Sequence, residues 1–314
     1  MDVLFGPMEG ITTSSFRRVH AAMFPGCDGY YTPFISPTCD HIFTAREHRE
    51  IDPERNEGLR VVPQLLGKNT EDFLWAARCL KELGYEEVNL NLGCPSATVT
   101  AKGKGAGLLR TPEVLRSFLD GIFAQAPLRV SVKTRLGWAR AEEFPALLAL
   151  YNQYPIAELI LHVRTRQEFY TLGAIHREMF DYALRESAAP VTYNGDLLTA
   201  ADVKAFAEAY PRAERVMLAR GAAADPALFR VLRGGAPVSR EELRAFHRAL
   251  SDAYTRDMGA LNAMRRMKEL WRNMLSLFQG GEALRSRLGR IEDPRKLEDF
   301  VSRVLRELPM ETEG

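Results

Sequence analysis

The 314-residue sequence contains no apolar run approaching the ~18 residues needed to cross a bilayer, and its longest candidates are broken by Pro145 or Glu158. No membrane span is expected. Residues 1–7 have no basic stretch followed by an apolar one, so no secretory signal is expected and the cytoplasm is the expected compartment. Cysteine is scarce: Cys27, Cys39, Cys79 and Cys94 form no C-x-x-C pair and no zinc-like spacing with histidine, which points to reduced thiols and no metal. Charge of one sign is also lacking, because 42 basic against 41 acidic residues leave +1, so bulk charge gives no reason to invoke a nucleic acid. Gly (23) and Pro (17) are near average use, and with 46% hydrophobic and 26% charged residues this excludes collagen-like and disordered chains. Neither G-x-G-x-x-G after a strand nor G-x-x-x-x-G-K-[ST] occurs, which removes the dinucleotide fingerprint and the Walker loop.

What is present is a rhythm. Short β-rich runs at 3–5, 29–34, 60–66, 87–91, 129–133, 158–163, 190–193 and 215–219 start about 25 to 40 residues apart, room for one crossover helix between parallel neighbours. Helix signals fill the gaps. Thr70 precedes an apolar stripe that ends at Gly84, Thr111-Pro112 opens another helix, and Thr199 with Asp202 and Asp225 with Pro226 mark further starts. Eight strand and helix pairs over about 235 residues predict a (β/α)8 TIM barrel, with a doubly wound sheet as the competitor because strand order is not readable from one sequence. The rhythm then stops. Ser239 with Glu242 forms a capping box, 261–278 carries a broad Leu/Met/Trp stripe ending at Gly280-Gly281, and Asp293-Pro294 opens a third helix. The expected division is a catalytic barrel over 1–238 and a small all-helical domain over 239–314.

Barrel enzymes mount their chemistry on the loops after the strands. Those loops supply Pro7-Met8-Glu9-Gly10, Gln64, Asn91 with Cys94, Lys133 with Arg135, His162 with Arg164, Asn194-Gly195-Asp196, and Ala219-Arg220-Gly221. The last two lie where barrels usually bind phosphate: small residues admit backbone N–H groups and Arg220 adds a cation, although either glycine alone also suits a tight turn. A monophosphorylated cofactor fits this pattern. Lys133 at a strand end needs an anionic partner or a route to solvent, and reduced flavin, anionic near N1, is one such partner. Gln64 can pair with a flat imide edge, and His162 can add a hydrogen bond there. Cys94, lifted by Gly-Cys-Pro over the mouth, can act as acid or nucleophile, whereas Cys79 on an apolar helix face reads as a small hydrophobe. Residues 101–107, glycine-spaced with Lys102 and Lys104, read either as a loop that closes over an anionic substrate or as a solvated turn.

Taken in order, Pro7-Met8-Glu9-Gly10, Gln64-Leu65-Leu66-Gly67, Asn-Leu-Asn-Leu-Gly-Cys-Pro-Ser at 89–96, Val-Ser-Val-Lys-Thr-Arg-Leu-Gly-Trp at 130–138, His162 through Arg166, Asn194-Gly195-Asp196 and Arg220-Gly221 resemble the motifs of bacterial tRNA-dihydrouridine synthases. The resemblance implies an FMN enzyme that reduces the C5=C6 bond of chosen uridines in tRNA, with NADPH recharging the flavin. It implies that Pro7, Met8, Glu9, Gln64, Lys133, His162, Asn194, Gly195, Asp196, Ala219, Arg220 and Gly221 hold FMN, that Asn91 positions uracil, and that Cys94 is the catalytic acid. Lys102, Arg135 and Arg164 are expected on the substrate side, and a monomer is expected. The sequence departs from the usual pattern at Thr32-Pro33-Phe34, Val163 and Ala219, positions that bear on subfamily and target uridine. In the tail, eight basic residues against three acidic ones between 256 and 290 give +5, and Arg265, Lys268 and Arg272 share a helix face with Arg266 alongside, a face that can hold tRNA phosphates or simply be solvated. Two other readings stand beside this one: a flavin barrel dehydrogenase acting on a small pyrimidine such as dihydroorotate, which needs no RNA-binding tail, and a non-catalytic RNA-binding barrel, which would carry no flavin.

Overall fold

Alternation of side chains decides the architecture. In β1 (Asp2–Phe5), Val3 and Phe5 belong to the large core shared with the helices, while Leu4 joins Tyr31, Val62, Ile160 and Met217 in a second, smaller core. The two cores are the outer and inner faces of one closed sheet. The computed structural model describes residues 1–311, so the last three residues of the 239–314 tail lie outside the described residues.

The strands are β1, β2 (Gly29–Tyr31), β3 (Val61–Val62), β4 (Gln64–Leu65), β5 (Glu87–Leu92), β6 (Arg129–Arg135), β7 (Leu159–His162), β8 (Val191–Asn194) and β9 (Arg215–Leu218). All pairings are parallel, in the order β3-β2-β1-β9-β8-β7-β6-β5-β4. The two ends of that order are consecutive in the chain, separated by Pro63. They form one stave broken where proline cannot donate to the ladder: Val62 O accepts from Thr32 N on one side (3.1 Å), and Pro63 O accepts from Asn89 N on the other (2.8 Å). The barrel is therefore closed, as expected, with its third stave in two pieces. The second stave ends at Tyr31, short of the expected Phe34, because Pro33 interrupts it.

Helices α1 (Ser14–Met23), α2 (Ala45–Ile51), α3 (Thr70–Glu82), α4 (Ala97–Thr100), α5 (Pro112–Gln125), α6 (Phe144–Tyr151), α7 (Arg177–Glu186), α8 (Ala200–Ala209), α9 (Arg220–Ala224) and α10 (Leu228–Leu232) surround the staves. The capping box at Thr199 and Asp202 and the left-handed Gly84 (φ 90°) are present. Two starts differ from expectation. Asn69, not Thr70, caps α3 by accepting from Asp72 N, and Asp225 accepts from Ala227 N in a turn that precedes α10.

The tail comprises α11 (Arg240–Met258), α12 (Ala260–Met274), α13 (Arg285–Gly289) and α14 (Pro294–Glu307), with the Ser239 and Glu242 capping box in place. Its apolar face does not stop at its own core. Phe246 packs on Phe16 and Phe24 of the α1 region at ring distances of 6.0 and 5.4 Å, and Tyr254 donates to Ile11 O (3.3 Å) in the loop after β1. Trp271, fully buried, donates to His247 Nδ1 (2.9 Å) and locks α12 to α11. Among the described residues, no helix is long and apolar enough to cross a membrane.

Candidate active site

Strand register brings the polar residues together. Asn91 is the Cα partner of Lys133, and His162 is the partner of both Arg135 and Asn194. Their side chains open into a cavity of about 440 Å³ at the carboxyl ends of the staves, a size suited to a small molecule or cofactor. Pro7, Met8 and Glu9 line it from β1, Gln64 from β4, Asn91 and Cys94 from β5, and Lys133 and Arg135 from β6. His162, Asn194, Gly195, Ala219 and Arg220 complete the far wall.

A chain of amides aims the thiol. Asn89 donates to Ser131 Oγ (3.0 Å), Gln64 donates to Asn89 Oδ1 (2.8 Å), and Asn91 donates to Gln64 Oε1 (2.7 Å). Asn91 Oδ1 then accepts from both Gly93 N (3.0 Å) and Cys94 N (2.9 Å). Both acceptor positions of Asn91 Oδ1 are thus used to hold the Cys94 turn, while one of its amide donors ties it to Gln64. The 101–107 segment serves the same turn and does not form a free lid. Ala106 N donates to Cys94 O (3.1 Å), residues 105–109 are buried, and a Cβ on Gly105 (φ 56°) would lie 3.0 Å from Cys94 O. Lys104 reaches back to donate to Ser36 Oγ (2.8 Å), while Lys102 is exposed.

The electrostatics separate the roles. Burial pushes the Cys94 thiol up, so it is protonated at neutral pH despite Arg135 and Lys133 nearby. Burial likewise pushes the Lys133 ammonium down to about 7, with the like charge of Arg135 adding to the effect, while its Nζ donates to Asn194 Oδ1 (2.9 Å). His162 is held well below the usual histidine range by burial and by Arg135, Lys133, Arg164 and Arg220 around it. A wall with this much positive charge and little acid is built for an anion.

The lowered lysine has a measurable consequence. Between pH about 7 and the ordinary lysine value of 10.5, the unfolded chain holds a proton that the folded chain has released, so the unliganded protein gains stability as pH rises through that window. Lys133→Met abolishes this gain and is expected to be the more stable protein at neutral pH. Thermal melts of unliganded wild type and variant across the window check this, and an unchanged difference between them would contradict it.

Several expected site residues lie outside the cavity or spend their donors on the protein itself. Arg164 is not on the substrate side: its side chain is 0% exposed, and its guanidinium donates to Thr171 O (3.0 and 2.8 Å) and to Asp196. Asp196 stands behind the cavity wall, where it accepts from Arg164 and from Arg220 Nη2 (2.5 Å), so its carboxylate orients a cation and does not itself face a phosphate. Gly221 is buried under Leu198, whose carbonyl oxygen would lie 2.5 Å from an added Cβ. Arg135 lines the cavity but spends its donors on Gly93 O (2.9 Å), Thr165 O (2.8 Å) and Phe169 O (2.7 Å). On α12, Lys268 turns away from solvent to donate to Gly289 O (2.8 Å) and Ile291 O at the end of α13. Arg265 and Arg272 are exposed, and Arg266 lies against Gly10 and pairs with Glu269 (3.0 Å).

Sequence reasoning missed six lining residues: the small or aliphatic Gly6, Gly93 and Leu198, and three with more to offer a ligand, Phe34, Tyr170 and Asn273. Phe34 follows the second stave. Tyr170 reaches the cavity from the loop after β7, with Arg135 over its ring at 5.1 Å. Asn273 comes from α12, so the tail contributes to the cavity itself. The aromatic pair Phe169-Tyr170 in the loop after β7 was the available signal for Tyr170, and none marked Asn273.

A family model described as dihydrouridine synthase matches residues 4–308. The probable tRNA-dihydrouridine synthase of Staphylococcus aureus strain N315 is 29% identical over 296 residues, covering 91% of this chain and 87% of that protein. The protein of the same description from strain MRSA252 is 32% identical over 236 residues, covering 72% and 70%. The tRNA-dihydrouridine synthase B of Pasteurella multocida is 27% identical over 231 residues, covering 73% and 68%. Among solved structures, the old yellow enzyme homologue from Zymomonas mobilis superposes with a TM-score of 0.54 at 12% identity, over 76% of this chain and 89% of that one. That likeness is one of fold.

Proposed function

The chain belongs to the dihydrouridine synthase family, and from that premise we infer that it is a flavin-dependent oxidoreductase that reduces uridine to dihydrouridine in tRNA in the cytoplasm, with FMN as the flavin and NADPH as the electron donor. The observation that carries this reading is the convergence of a protonated thiol, a cationic wall and an amide chain on one cavity. The donor set suits FMN at both ends. Arg220, with the small residues Gly195 and Ala219, would take the phosphate, while Lys133, His162 and Gln64 would face the pyrimidine edge of the ring beside Met8 and Pro7. Bound there, the flavin would supply hydride to C6 of a uracil. The uracil double bond is conjugated with its C4 carbonyl, so the resulting enolate needs one proton at C5, and Cys94 gives it. Arg135 and Lys133 stabilise the thiolate left behind until solvent restores its proton. A base stacked within folded RNA must first leave its stack to reach this cavity.

Purified protein, NADPH and unmodified tRNA should yield dihydrouridine with bound flavin. Turnover of a free pyrimidine such as dihydroorotate, with none on tRNA, would replace this reading by the small-molecule one.

The tail is proposed to hold the tRNA through exposed cations on α12. Arg265 lines a groove with Arg46 and Arg49 beside Gly10, next to the mouth. Arg265→Glu with Arg272→Glu should flatten the slope of log affinity against log salt by roughly 0.7 to 0.9 for each phosphate no longer neutralised. Lys268→Met should leave the slope alone and cost about 1 kcal/mol of stability, because its hydrogen bonds are internal. Filter binding across a salt series separates the two, and an unaltered slope in the double variant would refute a role for α12 in holding phosphates.

A further inference from the structure

Arg164 has no exposed side-chain surface, yet two of its contacts join different parts of the cavity wall, and one of them leads on to a third. Its Nη1 lies 3.1 Å from His162 Nε2, its Nη2 meets Asp196, and Asp196 in turn accepts from Arg220 Nη2 at 2.5 Å. A guanidinium carries only donors. The nitrogen facing it must therefore present a lone pair, which fixes His162 as a neutral ring with its single proton on Nδ1.

We propose that Arg164 is a positioning residue that locks His162 in the Nδ1–H tautomer, so that the ring presents a donor rather than a lone pair at the cavity, and that Asp196 ties this choice to Arg220. The inference rests on the proposed cofactor site only for its purpose, since the tautomer is a property of the chain. The surroundings reinforce it. Lys133 and Arg135 from β6 and Arg220 after β9 oppose a positive ring, Asn194 is its neighbour in register on β8, and Tyr170 stacks on it at 6.2 Å. Asp196, the one carboxylate in this group, is engaged by Arg164 and Arg220. A donor at the cavity suits the pyrimidine edge of a flavin, whose carbonyl oxygen accepts and whose reduced form is anionic near N1. A lone pair there would repel it.

The test is nitrogen-15 NMR of histidine-labelled, FMN-loaded protein, with His162→Gln identifying the resonance among the six histidines. In wild type the His162 ring should show a protonated Nδ1, a bare Nε2 and no titration between pH ~5 and ~8. A ring protonated at Nε2, or at both nitrogens, overturns the proposal without any variant and without touching the assigned activity. Arg164→Met should release the lock, giving a mixture of tautomers, and should weaken FMN binding about tenfold, or about 1.4 kcal/mol. Arg164→Lys, still a donor, should restore part of the Nδ1–H signal. If Arg164 were merely structural, the folded Met variant would keep the wild-type tautomer, and that result would also overturn the proposal.

Discussion

Cys94→Ala is expected to lower dihydrouridine formation by about 10²- to 10⁴-fold, the usual worth of a positioned general acid, while FMN stays bound and NADPH still reduces it. The separation follows from the geometry. Cys94 is held by Asn91 and Ala106 through its backbone, so truncating the thiol leaves the turn intact. Lys133, His162 and Arg220, the groups assigned to the flavin, are untouched. Anaerobic flavin reduction and tRNA turnover, measured on the same preparation, distinguish the two half-reactions. Near wild-type turnover on tRNA would remove Cys94 from the chemistry.

Arg135→Met is expected to destabilise the protein by on the order of 3 kcal/mol and to abolish turnover. Arg135 is 1% exposed, and its guanidinium caps three carbonyls from two loops: Gly93 beside the thiol, and Thr165 and Phe169 in the loop that carries Tyr170. Methionine fills the volume but leaves those carbonyls without donors, at about 1 to 3 kcal/mol for each that stays buried. Burial pulls the guanidinium down only to about 10, so it is cationic at working pH and its loss also removes charge from the wall. Arg135→Lys should not rescue it, because one compact ammonium cannot match a planar fork spread over three acceptors. Denaturant midpoints together with tRNA turnover check this, and wild-type stability would contradict it.

Much of this was legible in the amino-acid sequence. The staves could be read because each is a short β-rich run and the runs recur about 25 to 40 residues apart, and the rim residues followed because a parallel barrel gathers every strand end on one side. Thirteen of the residues expected at the site line a single cavity for that reason. What could not be read was partnership. Arg164, Asp196 and Lys268 look like ligand-binding residues by type and spacing, but each is engaged by a group more than twenty residues away that periodicity does not reveal. The 101–107 segment misled for a related reason. Its glycines signal mobility in isolation, whereas Gly105 and Gly107 are small because Cys94 and Thr100 leave no room beside them. Asn273 was invisible because its position depends on how α12 docks, a matter of packing between distant segments.

That docking sets a rule for anyone who would retarget the enzyme by exchanging its carboxy-terminal third. Thr13 Oγ1 donates to Tyr254 (3.2 Å), Ser15 donates to Asp257, and Asn273 faces the same opening as Cys94. A foreign tail spliced at the end of the cylinder would therefore alter the chemical chamber along with the proposed phosphate contacts of α12. Functional chimeras should require the graft to carry a matching first loop and first helix, so that the two halves travel as one cassette.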